Sequence, residues 1–188
     1  KSIKYLDNLR RLPINVEKLL ADKTFRWKIN DVSLLLLKNI RNVRPSIFML
    51  GREKMYPICK EISLKIKEIA YIHSEGYPSG SLKHGPFAML SRDNFVILLI
   101  DNKNREKLQS CFQEIKARDS NIIIFSDCEN IEDEIDLDKK YIVKLPNMEH
   151  YEEIIFTVGL QLFCYFLSIN QNINPDKPRN LAKVVTVE

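Results

Sequence analysis

The sequence lacks any run of clustered lysine and arginine interleaved with aromatic residues, although its 188 residues carry a formal net charge of +4. Acids and bases are interspersed, which excludes the basic stripe of a nucleic-acid-binding surface. Cysteine is sparse. Cys59, Cys111, Cys128 and Cys164 stand far apart, with no CxxC pair and no histidine cluster beside them. That excludes a zinc site and a disulfide framework, so no metal and no cofactor is expected. The same pattern predicts buried free thiols in a reducing compartment, hence a cytoplasmic protein. No signal peptide and no transmembrane run stands out, so no membrane partner is expected. Internal repeats and low-complexity tracts are absent. The chain opens on Lys1 in mid-pattern rather than on Met, which reads as a fragment or processed piece of a longer protein.

What is present fits a soluble globular domain, with 45% hydrophobic and 29% charged residues. The length suits one domain with a real core. Helical periodicity covers Ile3 to Leu20, with a break or turn at Pro13, and Phe25 to Val43, which contains Leu34-Leu35-Leu36-Leu37. Pro45 stops that pattern. Apolar runs at Ser46 to Leu50, Asn94 to Ile100, Ile122 to Phe125 and Tyr141 to Leu145 read as strands, and Ile72 to Tyr77 as a further one. Tyr56 to Tyr71, Leu82 to Leu90, Lys103 to Arg118 and the mostly apolar Tyr151 to Ser168 read as helices. Asp127 to Asp138 reads as an acidic loop with a short helical turn. Asn170 to Pro178 reads as a loop, and Arg179 to Glu188 as a tail. Alternating short strands and amphipathic helices predict an α/β fold, a three-layer α/β/α sandwich on a parallel sheet.

The chemistry gathers between Gly51 and Pro86. At helical spacing Cys59, Ile62, Ile66 and Ile69 share one side, while Glu61, Lys65 and Glu68 form a row at i, i+4 and i+7 on another. By itself this is the pattern of a surface ion-pair ladder, worth roughly 0.2–0.5 kcal/mol per pair. His84 follows on a Gly/Pro-bounded turn, bringing an imidazole near acid and amine, a set able to move protons. His73 reads as a core or strand-end histidine and His150 as a loop residue.

The stretch EISLKIKEIAYIHSEGYPSGSLKHGP from Glu61 to Pro86 resembles the second sugar-isomerase (SIS) domain of the glucosamine-6-phosphate synthase family, the isomerising glutamine:fructose-6-phosphate aminotransferases. The ending Asp176-Lys177-Pro178-Arg179-Asn180-Leu181-Ala182-Lys183 and the residues to Glu188 resemble the C-terminus of that family. The opening Tyr5 to Pro13 resembles its interdomain segment. The likeness is weakest between Asn102 and Tyr141. It implies a five-stranded, flavodoxin-like parallel sheet. It also divides the chain into a helical segment leading from an upstream domain (1–44), an SIS core (45–170) and an active-site tail (171–188).

The resemblance also implies roles. Fructose 6-phosphate would bind, open, receive ammonia at C2 and pass a proton from C1 to C2, giving glucosamine 6-phosphate for hexosamine biosynthesis. Glu68 matches the glutamate of the proton transfer, for which its pKa would have to rise through partial burial. Glu61 and Lys65 match its companions, which set its charge and position. His84 matches the ring-opening histidine, which in the family serves the neighbouring subunit's sugar and so implies a homodimer. Lys183 matches the lysine that forms a Schiff base with the open sugar. The turn holding Ser79 and Ser81 is the only loop read as able to cradle a phosphate.

Departures from the family pattern are Ser81 in place of Glu, Val184 in place of Ser, Ile62-Ser63 in place of Gly-Ala, and Glu53 in place of Gly. The Ile62 change adds bulk on the core side of the ladder, and the Ser81 change loosens the histidine loop. None removes a catalytic residue. An upstream SIS domain with a Ser/Thr-rich phosphate loop and a glutaminase domain are expected as partners, because neither is in this sequence. The isolated chain is therefore expected to be inactive alone. The competing expectation is a non-catalytic SIS module that binds a phosphosugar or a partner domain.

Overall fold

In the computed structural model, residues 2–40, 46–83 and 85–180 are described. Two N-terminal helices, α1 (Ser2–Ala21) and α2 (Lys23–Ile40), precede the first strand. Strands β1 (Ile47–Gly51), β2 (Ser74–Pro78), β3 (Phe95–Ile100), β4 (Asn121–Ser126) and β5 (Ile142–Lys144) form one sheet in the order β2-β1-β3-β4-β5. Every pairing is parallel. Helices α3 (Met55–Lys65), α4 (Arg105–Lys116), α5 (Ile131–Glu134) and α6 (Glu152–Ile169) complete the fold. The three-layer sandwich and five-stranded sheet expected from the sequence are both present.

The strands read as continuous apolar runs because both faces are covered, yet their side chains still alternate. Ile47 and Met49 of β1 and Phe95, Ile97 and Leu99 of β3 face a core shared with α2, α3 and α6. Phe48, Leu50, Val96, Leu98 and Ile100 face the second core, where Leu108, Phe112 and Ile115 of α4 meet them. All four cysteines are free and buried, as expected. By length and composition α6 is apolar enough to cross a membrane, a run the sequence reading did not credit. Here it packs as a core helix, with Ile155, Phe156, Leu160, Phe163 and Leu167 buried.

Three local expectations are corrected. Pro13 does not interrupt α1. Leu12 and Leu19 are both buried, so packing on either side offsets the hydrogen bond that the proline removes. The helix expected at Leu82–Leu90 is a 3₁₀ turn at Pro86–Met89, where Pro86 occupies the first position. β5 is shorter than its apolar run, because Tyr141 closes a 3₁₀ turn begun at Lys139.

The helix carrying the ladder is set by one glycine. A β-carbon on Gly76 of β2 would lie 2.6 Å from backbone atoms of Cys59 and Lys60 in α3. The contact lets α3 lie directly on β2, where Ser74 Oγ donates to Ser63 Oγ at 3.2 Å.

Candidate active site

The ladder forms on α3 and its continuation. Cys59, Ile62 and Ile66 are fully buried, which turns Glu61, Lys65 and Glu68 outward. The helix expected to run to Tyr71 changes character at Ile66, where Ile66–Ala70 make a single π-helical turn that carries Glu68. Such turns recur at functional sites. Lys65 Nζ donates to Glu68 Oε2 at 2.7 Å and lies 3.6 Å from Glu61 Oε1. The hydrogen bond to Glu68 raises the Lys65 pKa above its ordinary value, so the amine stays charged between two acids. Glu68 keeps only 24% of its side chain exposed, against 47% for Glu61. Of the two acids, Glu68 is therefore the one held at a cleft wall.

That cleft, of about 390 Å³, is lined by Lys67, Glu68, Tyr71, Ile72, His73, Arg179 and Asn180. It lies at the amino end of β2, because Tyr71, Ile72 and His73 of its wall lead directly into Ser74. The π turn ends at Tyr71, a non-glycine residue with φ of 57°. Tyr71 Oη accepts the backbone N–H of Arg179 at 2.7 Å. The Arg179 guanidinium lies 4.2 Å from the centre of the Tyr71 ring. Gln171 Nε2 donates to the carbonyls of Ala70 and Leu167 at 3.2 and 2.9 Å. The segment after α6 thus turns back onto the ladder and closes one side of the cleft.

His73 proves to be a strand-end residue rather than a core one, with 56% of its side chain exposed. Its Nδ1 is 2.9 Å from Ser46 Oγ, and its Nε2 is 3.7 Å from Glu75 Oε1. His150 is a loop residue with φ of 79°, stacked on Tyr5 at 3.8 Å between ring centres. Ser79 and Ser81 sit in a 3₁₀ turn after β2, at the opposite end of that strand from Glu68. Five strand residues separate the two, roughly 16 Å. The cleft therefore does not receive Ser79 or Ser81 from its own chain. His84 and Lys183 lie outside the described residues. The neighbours of His84 are described, and Lys83 Nζ pairs with Glu114 Oε1 of α4 at 2.7 Å. Among the described residues no three His, Cys, Asp or Glu side chains group to hold a metal ion.

Sequence reasoning missed Tyr71, Arg179 and Gln171. Their contacts join segments about a hundred residues apart, and no spacing rule reports such a pairing. Size alone would also have misled. A larger groove of about 730 Å³ lies between the α1–α2 pair and β5, with Trp27 and several lysines on its walls but none of the ladder residues.

Residues 39–170 match the SIS domain family. The chain is 38% identical over 183 residues to the isomerising glutamine–fructose-6-phosphate aminotransferase of Salmonella typhi, covering 96% of this chain and 28% of that protein. It is 39% identical over 182 residues to the same enzyme of Wigglesworthia glossinidia brevipalpis, covering 94% of this chain and 28% of that protein. Among solved structures it resembles the C-terminal domain of glucosamine-fructose-6-phosphate aminotransferase from Francisella tularensis. The TM-score is 0.79 and the identity 29%, covering 92% of this chain and 47% of that one. The chain thus spans little more than a quarter of the length of the curated relatives it matches.

Proposed function

Because this chain belongs to the SIS domain family, we propose that it is the C-terminal isomerase part of a glutamine–fructose-6-phosphate aminotransferase, acting on fructose 6-phosphate to give glucosamine 6-phosphate. The observation that carries this reading is the return of the C-terminal segment to the Glu68 cleft. Asn180 lines that cleft, and Lys183 is three residues further on, within roughly 10 Å of chain. That chain length is enough for a lysine amine to act on the same sugar as the carboxylate. The amine condenses with the C2 carbonyl of the open sugar and water leaves. Ammonia then displaces the lysine amine at C2. Glu68 takes the proton from C1 and returns it to C2 while the C1 hydroxyl proton passes to the imine nitrogen, leaving an aldehyde at C1 and an amine at C2, so the carboxylate ends as it began. Lys65 holds Glu68 in place, as its 2.7 Å hydrogen bond supports.

The position of the histidine loop supports a homodimer. Lys83 and Gly85 flank His84 beyond the far end of β2, so a ring-opening role for His84 is best met at a second copy's sugar. The upstream SIS and glutaminase domains would supply the phosphate site and ammonia, and the reduced, buried cysteines support a cytoplasmic location. One observation favours the rival, a non-catalytic phosphosugar- or domain-binding module. Ser79 and Ser81 are remote from the Glu68 cleft, so the serine turn expected to cradle a phosphate does not adjoin the acid.

Borohydride trapping with fructose 6-phosphate in the full-length protein decides between them. Wild type and Glu68→Gln should be labelled and Lys183→Arg should not. Labelling of Lys183→Arg, or its turnover at the wild-type rate, would overturn the assignment of Lys183.

A further inference from the structure

The return of the C-terminal segment depends on a residue to which none of the steps above gives a task. Tyr71 stands where the π turn ends, in a left-handed conformation that side chains other than glycine rarely adopt. Two different parts of Arg179 meet it. The backbone N–H of Arg179 donates to the phenol oxygen, and its guanidinium covers the ring. Backbone and side chain are caught by one ring, so both the position and the heading of the chain are fixed at residue 179. Gln171 closes the other end of the segment by donating to the carbonyl of Ala70, the residue before Tyr71. Glu68 lies three positions before Tyr71 on the same turn. A movement of Tyr71 would therefore shift the tail relative to the acid.

We propose that Tyr71 and Arg179 form a clasp that aims the C-terminal segment at the Glu68 cleft, which makes Tyr71 a positioning residue for the amine of Lys183. The inference rests on the function proposed above. A ring under a planar guanidinium suits the task better than an ion pair. It holds orientation as well as distance, and lysine does not reproduce it. Effective molarity between two reacting groups falls steeply with small misplacement, so a loosened clasp should slow imine formation more than it weakens sugar binding.

The test is the rate of borohydride-trapped imine at saturating fructose 6-phosphate, measured with KM and Tm in the full-length protein. Tyr71→Ala should slow trapping about tenfold or more, and Tyr71→Phe, which keeps the ring and loses the phenol oxygen, by less. Arg179→Ala, at an exposed position where folding is not at risk, should slow it comparably. The double variant Tyr71→Ala/Arg179→Ala should lose no more than the worse single one, because the two act as a unit. Arg179→Lys should not rescue. KM should change less than the trapping rate, a split that mere destabilisation does not produce. Wild-type trapping in both Tyr71→Phe and Arg179→Ala, or full additivity in the double variant, would overturn the clasp. Lys183→Arg run beside them separates the two failures. If Lys183→Arg is unlabelled while the clasp variants trap normally, the clasp is wrong and the imine reading stands; if Lys183→Arg is labelled, the imine reading itself is wrong.

Discussion

Carboxylates line both ends of the sheet, and the two ends treat them in opposite ways. At the carboxyl ends of β3 and β4, Asp101 and Asp127 are only 4% and 5% exposed. Asp127 Oδ1 accepts the N–H of Asn102, and Asp101 Oδ2 accepts from Asn104. Burial nonetheless pushes both pKa values up, that of Asp127 to about 6. Asp101 Oδ1 and the nearby Glu152 Oε2 are buried with no hydrogen-bond partner among the described residues. At the amino end of β2, Glu68 has a charged amine at 2.7 Å and an open cleft before it. A carboxylate that is to exchange protons with a ligand has to be held and reachable: Glu68 is 24% exposed beside its amine, whereas Asp101 and Asp127 border a cavity of about 470 Å³ but are themselves almost wholly buried. In open parallel sheets ligands usually sit outside the carboxyl ends of the strands. Here that end is occupied by the protein's own acids, and the candidate chemistry lies at the other.

The sharpest way to break this contrast is to neutralise one acid at each end. Glu68→Gln should lower isomerisation in the full-length protein by about 10²–10⁴-fold, the range for a general acid–base group, with little change in Tm. Asp127→Asn should leave turnover within about twofold. Equal losses of turnover in the two variants would mean that the carboxyl-end acids belong to the chemistry as well.

A second variant tests whether the Glu68 end depends on close contact between α3 and β2. Gly76→Val would force a side chain into backbone that a β-carbon alone already meets at 2.6 Å. A loss of about 3 kcal/mol or more in denaturant unfolding is expected, in the range of severe overpacking. Unchanged stability would mean that α3 moves away at little cost, and the ladder would then be less rigidly placed than the fold suggests.

The contrast also marks what a sequence can carry. The sheet was legible because β1, β3 and β4 are near-continuous apolar runs, a pattern that only a strand covered on both faces sustains at that length. The row of Glu61, Lys65 and Glu68 was legible because helical spacing is fixed by geometry. Its π turn was not, since the residues from Ile66 to Ala70 continue the same apolar periodicity and nothing in them announces a wider turn. The clasp was illegible for another reason. Tyr71 and Arg179 are each unremarkable alone, and only tertiary packing brings them together. Pro13 was read as a break because proline removes a helical hydrogen bond. The burial of Leu12 and Leu19 against the rest of the fold outweighed that local cost.

The smallest expected effect concerns stability and has a definite sign. The folded-state pKa of Asp127 lies above the ordinary 3.8, near 6, because burial disfavours the charged form. Between about pH 4 and 6 the folded state therefore binds more protons than the unfolded chain. Stability from this group is complete below about pH 4, falls as pH rises toward 6, and stays low above it. Asp127→Asn removes the ionisation and retains an oxygen able to accept the Asn102 N–H. It should raise unfolding free energy above pH 6 by about 1–3 kcal/mol and have almost no effect at pH 4, where the wild-type carboxyl is already protonated. Denaturant titrations at pH 4, 6 and 8 measure this directly. A gain of equal size at all three values would mean the asparagine improves packing rather than relieving a buried charge. A loss at pH 8 would mean that the carboxylate is held there by an interaction stronger than its burial. In that case the carboxyl-end crevice would resemble the Glu68 cleft more than the geometry indicates.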